Sequence, residues 1–307
     1  MIVVFGSINL DLVTDVPAIP RPGETVLGPA YAKIPGGKGA NQALAARRAG
    51  AKVALVGAAG RDDFADAALA LLAADGVDLT GVARVEAPTG AAFIAVDAKG
   101  ENAIVVASGA NAFARADGLA AVPLGPDDTL LLQRETPDAE NLAAARRAKA
   151  AGARVVLNLA PAGELAEAWF AALDVLVLNE HEAASLGAAM GVGSAPDAVA
   201  RAIDARHGVA CVVTLGADGA IAWTGGVRRE APAPAIAVVD TTGAGDAFVG
   251  AFAAALDHGL HIGGALLRGV AAGGLACTRQ GAQTSLPRAP EIEALALKIG
   301  AVDLIRG

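Results

Sequence analysis

Asp240-Thr241-Thr242-Gly243-Ala244-Gly245-Asp246-Ala247-Phe248 lies between two apolar runs. The first, Ala235 to Val239, predicts a strand. The second, Ala247 to Leu256, predicts a helix whose Phe248, Phe252 and Leu256 recur at helical spacing. A glycine turn that opens a helix leaves backbone N–H groups free to face a ligand, and the helix adds its positive dipole end. Such a nest favours anions, phosphate above all. Asp246 is the anomaly, because a carboxylate beside a phosphate repels it. Either it caps the helix N-terminus, or it accepts a proton from a hydroxyl that attacks the phosphate.

Around this stretch, short β-branched runs alternate with alanine-rich helical patterns. Strands are expected at Ile2–Gly6, Val53–Val56, Val155–Leu159, Val175–Leu178 and Cys211–Leu215. Helices are expected at Gly39–Ala49, Asp63–Ala74, Pro137–Ala150, Leu165–Ala171, Glu180–Ala189, Ile262–Cys277 and Pro290–Gly300. The alternation implies an α/β fold with a central, mostly parallel sheet flanked by helices. Two early stretches break the rhythm. Residues 11 to 34 carry Pro17, Pro20, Pro22 and Pro29, and Phe93–Val96 and Ala103–Val106 flank a glycine-containing turn as in a hairpin. They are expected to form a small antiparallel sheet over residues 11–34 and 89–107. The main unit then comprises 1–10, 35–88 and 108–307. The free face of such a sheet needs a cover, either a ligand or a second copy of itself.

Composition narrows the function classes. The 307 residues are 54% hydrophobic but only 3% aromatic, so the core must be aliphatic and alanine-filled. A net charge of −8 gives no basic footprint for nucleic acid or an anionic membrane. Every long apolar stretch is broken before it spans a bilayer, and Met1 runs straight into Ile2-Val3-Val4-Phe5. A soluble cytoplasmic protein is expected, with Cys211 and Cys277 as buried thiols.

Further polar clusters stand at the expected strand ends. Asn9 and Asp11 are two apart, so an extended chain puts both on one face, suited to vicinal hydroxyls; an Asn/Asp turn is the alternative. Pro35-Gly36-Gly37-Lys38-Gly39-Ala40-Asn41 opens a helix without the Walker spacing, and Asn41 offers a donor and an acceptor to a polyhydroxyl ligand. The alternative there is a plain helix start with Lys38 in solvent. Glu135 follows Leu130–Leu132. Asn179 and Glu182 either hold waters around Mg²⁺ or form a helix cap. Thr214, Gly216 and Gly219 mark a tight turn between two strands, one that could also border a nucleotide. No zinc template, Gly-x-Ser-x-Gly elbow or dinucleotide Gly-x-Gly-x-x-Gly is present.

These segments, together with Arg21-Pro22-Gly23-Glu24-Thr25 and Thr278-Arg279-Gln280-Gly281-Ala282-Gln283, resemble the ribokinase-like, or PfkB, family of carbohydrate kinases along the whole chain. The resemblance implies MgATP-dependent phosphoryl transfer to a sugar. The 5-hydroxyl of D-ribose is the expected acceptor, and another sugar, a nucleoside or a sugar acid is the alternative. A non-catalytic sensor would need a damaged base or anion hole, and none is damaged. By likeness, Asp246 is the base and Gly243, Ala244 and Gly245 form the anion hole. Asn9, Asp11, Gly37, Lys38, Asn41 and Glu135 face the sugar. Asn179, Thr214, Gly216, Gly219 and Gly245 face ATP, with Mg²⁺ organised by Asn179 and Glu182. The resemblance also implies a monovalent cation, K⁺, at Asp240, Thr242, Ala276, Arg279, Gly281 and Ser285. The small sheet corresponds to a lid that clasps a second copy in a homodimer. Val270 falls where family members commonly carry a polar residue near adenine, so apolar base contacts are expected there.

Overall fold

The computed structural model describes residues 1–306, with side-chain surroundings for residues 1–300; residue 307, expected in the main unit, lies outside the described residues. Thirteen strands are formed among them. The first seven are β1 (Ile2–Phe5), β2 (Asn9–Asp15), β3 (Ala32–Gly36), β4 (Val53–Gly60), β5 (Asp78–Val85), β6 (Gly90–Val96) and β7 (Asn102–Ala107). The rest are β8 (Thr129–Leu132), β9 (Arg154–Asn158), β10 (Val175–Asn179), β11 (Ala210–Thr214), β12 (Ala220–Thr224) and β13 (Val227–Ala231). The helices are α1 (Lys38–Arg48), α2 (Asp63–Ala74), α3 (Asp138–Ala150), α4 (Glu167–Phe170), α5 (Glu180–Ala189), α6 (Pro196–His207), α7 (Ala244–Asp257), α8 (Ile262–Cys277) and α9 (Ala289–Arg306).

The large sheet runs β13-β12-β11-β10-β9-β8-β1-β4-β5, parallel from β11 to β5 and antiparallel at the β12–β13 edge. β1 sits between β8 and β4, with Val4 opposite both Leu131 and Leu55. Its four residues are fully buried because helices cover both faces. Ile2 and Val4 pack on the layer that holds α1, α2, α7, α8 and α9. Val3 and Phe5 pack on the other, with α3, α5 and α6. The period-two alternation of the strand thus divides one apolar run between two cores.

The small sheet has the order β3-β2-β6-β7; its two outer pairings are antiparallel and its central β2–β6 pairing is parallel. The chain passes between the two sheets at residues 6–8, directly after β1. That places Asn9 at the junction.

Two expected elements differ. Residues 235–239 are not a strand. Pro232 and Pro234 supply no N–H to a ladder. The segment instead lies along α8: Pro234 packs where a Cβ on Gly274 would stand 3.3 Å from its Cδ, and Val239 N donates to Cys277 O at 2.8 Å. The expected helix Leu165–Ala171 contracts to α4, with Trp169 and Phe170 buried as a single turn against the sheet and Ala166 still extended. Cys277 also differs from expectation: it is half-buried, while Cys211 is buried, and both are free thiols.

Candidate active site

α1 and α7 lie against each other closely because Gly250 has no side chain; a Cβ there would stand 2.5 Å from Ala45 Cβ and 2.7 Å from Gln42 O. This contact brings the first turns of both helices together beyond the ends of β1 and β8. Asp246 lies in the first turn of α7 and is buried. Its Oδ2 accepts from Asn41 Nδ2 and its Oδ1 from Gln42 Nε2, both at 2.9 Å. Gln42 is itself locked, donating to Asn158 Oδ1 at 2.9 Å and accepting from Gln133 Nε2 at 2.7 Å. Asp246 is therefore not a cap, since its oxygens face α1 and not the N–H groups of its own helix. Burial raises its pKa, and the Lys38 charge with the two amide donors offsets this only partly.

The N-cap of α7 is Gly243 at φ 75°, a left-handed conformation that costs a side-chain-bearing residue about 1 kcal/mol or more. The tight turn closes with Ala244 N donating to Thr241 O at 3.2 Å. The N–H groups of Gly245 and Asp246 find no backbone acceptor among the described residues, as a helix start requires. Gly37, at φ 87°, plays the same part at α1, where a Cβ would meet Asn9 N at 2.8 Å.

Glu135 joins these pieces. It accepts from Ser7 Oγ at 2.5 Å and from Lys38 N at 2.9 Å, so its carboxylate meets the N-terminal end of α1. Asn9 and Asp11 lie in β2 and not in a turn. Asp11 is pushed up to about 6 by burial first, then by the charges of Glu135 and Asp246. Lys38 is not a solvated lysine. Desolvation alone would lower its pKa, but Asp246, Glu135 and Glu182 outweigh that and hold it above the usual value, hence protonated.

Two cavities meet at Thr214 and Gly245. The smaller, about 140 Å³, is lined by Lys38, Asn158, Asn179, Glu182 and Asp246. The larger, about 490 Å³, is mostly apolar and runs past Gly216, Gly219, Ile236, Phe248 and Val270. A polar chamber joined to an apolar slot at a helix N-terminus matches a phosphate chain with an aromatic base. The residues expected near the nucleotide, Asn179, Thr214, Gly216, Gly219 and Gly245, all line one chamber or the other.

Asn179 and Glu182 form a reciprocal capping box at α5: Asn179 Oδ1 accepts from Glu182 N and Glu182 Oε2 from Asn179 N, both at 2.8 Å. The capping alternative is thus realised, and the same two residues line the polar chamber. At the mouth of α7, Asp240 accepts from Thr242 N at 2.9 Å and Gly281 N at 2.8 Å. Burial alone would raise its pKa, but these bonds hold it below the ordinary range. Ala276 lies in the last turn of α8 with its carbonyl accepting from Arg279 N, the Arg279 side chain turns to Glu291, and Ser285 Oγ donates to Ala282 O.

Gln42, Gln133 and Asn158, which lock Asp246, were not singled out from sequence. The available signal was Gln42 itself, a polar residue beside Asn41 in a run otherwise fit for burial.

The matching family model is that of the pfkB family carbohydrate kinases, over residues 1–289. The chain belongs to that family, whose members are phosphotransferases acting on a sugar hydroxyl. Within it, the chain is 38% identical to the ribokinase of Haemophilus influenzae, covering 94% of this chain and 95% of that one. It is similar in structure to the ribokinase of Thermotoga maritima (TM-score 0.87, 36% identity, 97% and 99% covered). It is equally similar to Arabidopsis thaliana ribokinase complexed with ribose and ATP (TM-score 0.87, 31% identity, 96% and 98% covered). No helix among the described residues is long and apolar enough to cross a membrane.

Proposed function

We propose that the chain is an ATP-dependent ribokinase, transferring the γ-phosphoryl group of ATP to the 5-hydroxyl of D-ribose. One observation carries this reading: the buried Asp246 carboxylate, aimed by Asn41 and Gln42, beside N–H groups suited to an anion. In this reading ribose lies against Asn9, Asp11, Gly37, Asn41 and Glu135. Asn41 Oδ1 is buried with no partner among the described residues, an acceptor suited to a sugar hydroxyl.

Asp246 takes the hydroxyl proton, the oxygen attacks the γ-phosphorus, and the bond to the β–γ bridging oxygen breaks to release ADP. The first-turn N–H groups of α7 stabilise charge on the transferring group, and Lys38 adds a fixed positive charge at the chamber wall. Mg²⁺ neutralises phosphate charge when bound. Asn179 and Glu182 would hold the ion through its waters. Their capping bonds engage Asn179 Oδ1 and Glu182 Oε2 and leave Glu182 Oε1 without a hydrogen-bond partner among the described residues. No group of three acidic, His or Cys ligands occurs among the described residues to enclose the ion directly. K⁺ fits the Asp240 turn, a carboxylate without a basic partner among the described residues, and would reinforce the positive mouth of α7. There Ala276, Arg279 and Gly281 would contribute through backbone carbonyls, because none of their side chains has a lone pair to offer a cation, the Arg279 guanidinium being a cation itself that turns to Glu291.

The small sheet acts as a lid in this reading. Phe93 and Val105, paired on one face of the β6–β7 hairpin, and Ile104 and Val106 on the opposite face are each at least half exposed, apolar surface that a second copy would cover in a homodimer. A monomer at micromolar concentration in sedimentation would remove the dimer. A cytoplasmic site follows from the ATP requirement and the free thiols, and cell fractionation checks it.

Asp11 supplies a pH signature. Its folded pKa of about 6 stands above the ordinary 3.8, so the native state binds more protons than the unfolded chain between those values. The fold loses stability as pH rises across that window. Sugar binding shows the opposite sign, because the charged carboxylate is the better acceptor. kcat/KM for ribose is expected to rise with pH through about 6. Asp11→Asn is expected to abolish that inflection while weakening binding, and an unchanged profile would remove Asp11 from the sugar site.

The reading as a whole is tested by ADP release across a panel of pentoses, hexoses and nucleosides, with and without K⁺. Ribose is expected to give the highest kcat/KM; preference for a nucleoside or hexose would overturn the substrate assignment.

A further inference from the structure

Asn111 lies in the short 3₁₀ turn after β7 and is buried; no sequence signal marked it. Its Oδ1 accepts from Ile8 N at 2.9 Å, and its Nδ2 donates to Ile8 O at 3.2 Å and to Asn9 Oδ1 at 2.7 Å. An amide's two ends are usually hard to tell apart, but here the backbone decides. The Ile8 N–H can only donate and its C=O can only accept, so the Asn111 amide has one permitted orientation. The Asn9 amide then has one as well: its oxygen faces Asn111, and its nitrogen faces away.

Asn9 Nδ2 has no protein acceptor among the described residues and is not enclosed by protein. It opens on the strand face it shares with Asp11. Gly90 stands directly over the amide pair; a Cβ there would strike both Asn111 Nδ2 and Asn9 Oδ1. The backbone around the pair is therefore shaped to keep this contact.

We infer that Asn111 is a positioning residue for the sugar site: it reads the polarity of the Ile8 backbone and passes it to Asn9, so that Asn9 presents an N–H donor to the substrate. Asp11, on the same face, presents an acceptor. Together they match one hydroxyl group, which donates to Asp11 and accepts from Asn9. A carbonyl, which cannot donate, and an ammonium, which cannot accept, each fit only half of the pair. The inference rests on the proposed placement of the sugar against Asn9.

The test is a double-mutant cycle on the full chain with ribose. Asn111→Asp keeps an oxygen for the Ile8 N–H but loses the donor to Asn9, so the Asn9 amide turns over and its oxygen faces the sugar. The variant is expected to raise the ribose KM about 10- to 100-fold, with kcat and the ATP KM within about twofold. In an Asn9→Ala background the same substitution is expected to add nothing. Equal effects in both backgrounds, or parallel changes in ATP KM and melting temperature, would make Asn111 structural only and overturn the inference. If Asn9→Ala alone leaves the ribose KM unchanged, the sugar placement itself fails. If Asn9→Ala acts and Asn111→Asp does not, only the positioning role fails. Should Asn111→Asp not fold, Asn9→Asp decides: it leaves Asn111 its acceptor but shows the sugar oxygen in place of N–H. A ribose KM like that of the unmodified chain would then overturn the inference.

Discussion

Asp246→Asn is expected to lower kcat by about 10²- to 10⁴-fold while nucleotide affinity stays near its original value. The substitution conserves shape, so the loss isolates the proton acceptor. One local adjustment is required. The carboxylate accepts from both Asn41 Nδ2 and Gln42 Nε2, and a carboxamide would set N–H against N–H at one of them. Gln42 cannot yield, because Asn158 and Gln133 hold both ends of its amide. Asn41 can, because its Oδ1 has no partner among the described residues. Turning over the Asn41 amide restores both hydrogen bonds, so the fold is expected to survive without loss of stability. A buried charge is removed as well. The flip takes an acceptor from the sugar side, so the ribose KM is expected to rise too, and kcat is the decisive readout. Single-turnover rates and calorimetric titration of ATP give the two halves of the result. A kcat within tenfold of the original would dismiss Asp246 as the base.

How much of this arrangement was visible in the chain depended on the kind of signal. β1, β10 and α7 announce themselves because an unbroken apolar run has few alternatives to burial. The glycine turns at residues 36–39 and 243–245 were equally plain, since each opens a helix directly. Sequence misjudged residues 235–239, where apolar character was right but prolines diverted the segment onto α8 and into the wall of the large cavity. α6 was passed over although Pro196 starts it and Gly208 ends it, because Val199, Ala200 and Ile203 make only a narrow apolar stripe. The polar residues divide in the same way. Asn9, Asp11, Asn41 and Asp246 stand next to a strand end or a glycine turn, so local context exposes them. Gln42, Gln133, Asn158 and Asn111 act only through partners about 90 residues away or more. Nothing along the chain reports such a pairing.

The second large effect concerns a glycine whose role is contact between backbones. Gly39→Ala is expected to destabilise the protein by about 1–3 kcal/mol and to lower kcat by about 100-fold. A Cβ on Gly39 would stand 2.5 Å from Gly6 C and 2.7 Å from Gly6 Cα, and Ser7 N is closer still. None of these is the far end of a flexible side chain, so the clash is relieved only by moving α1 away from the end of β1. Gly39 N also donates to Ser7 Oγ at 3.2 Å and Ala40 N to Ser7 O at 2.9 Å, bonds the same movement would stretch. Asn41 and Gln42 travel with α1, and with them the orientation of Asp246. Gly245→Ala is the informative contrast. A Cβ there meets nothing within 4 Å, and the helical backbone suits alanine, so stability is expected to hold or rise slightly. Yet Gly245 lines both cavities, so on the proposed placement of ATP the added methyl would intrude on its phosphates and is expected to raise the ATP KM. Thermal melts with ATP and ribose kinetics on the two variants separate these uses of glycine. Gly39→Ala with unchanged melting temperature and kcat would show that α1 is not held by that contact, and the link from β1 through α1 to the base would be lost.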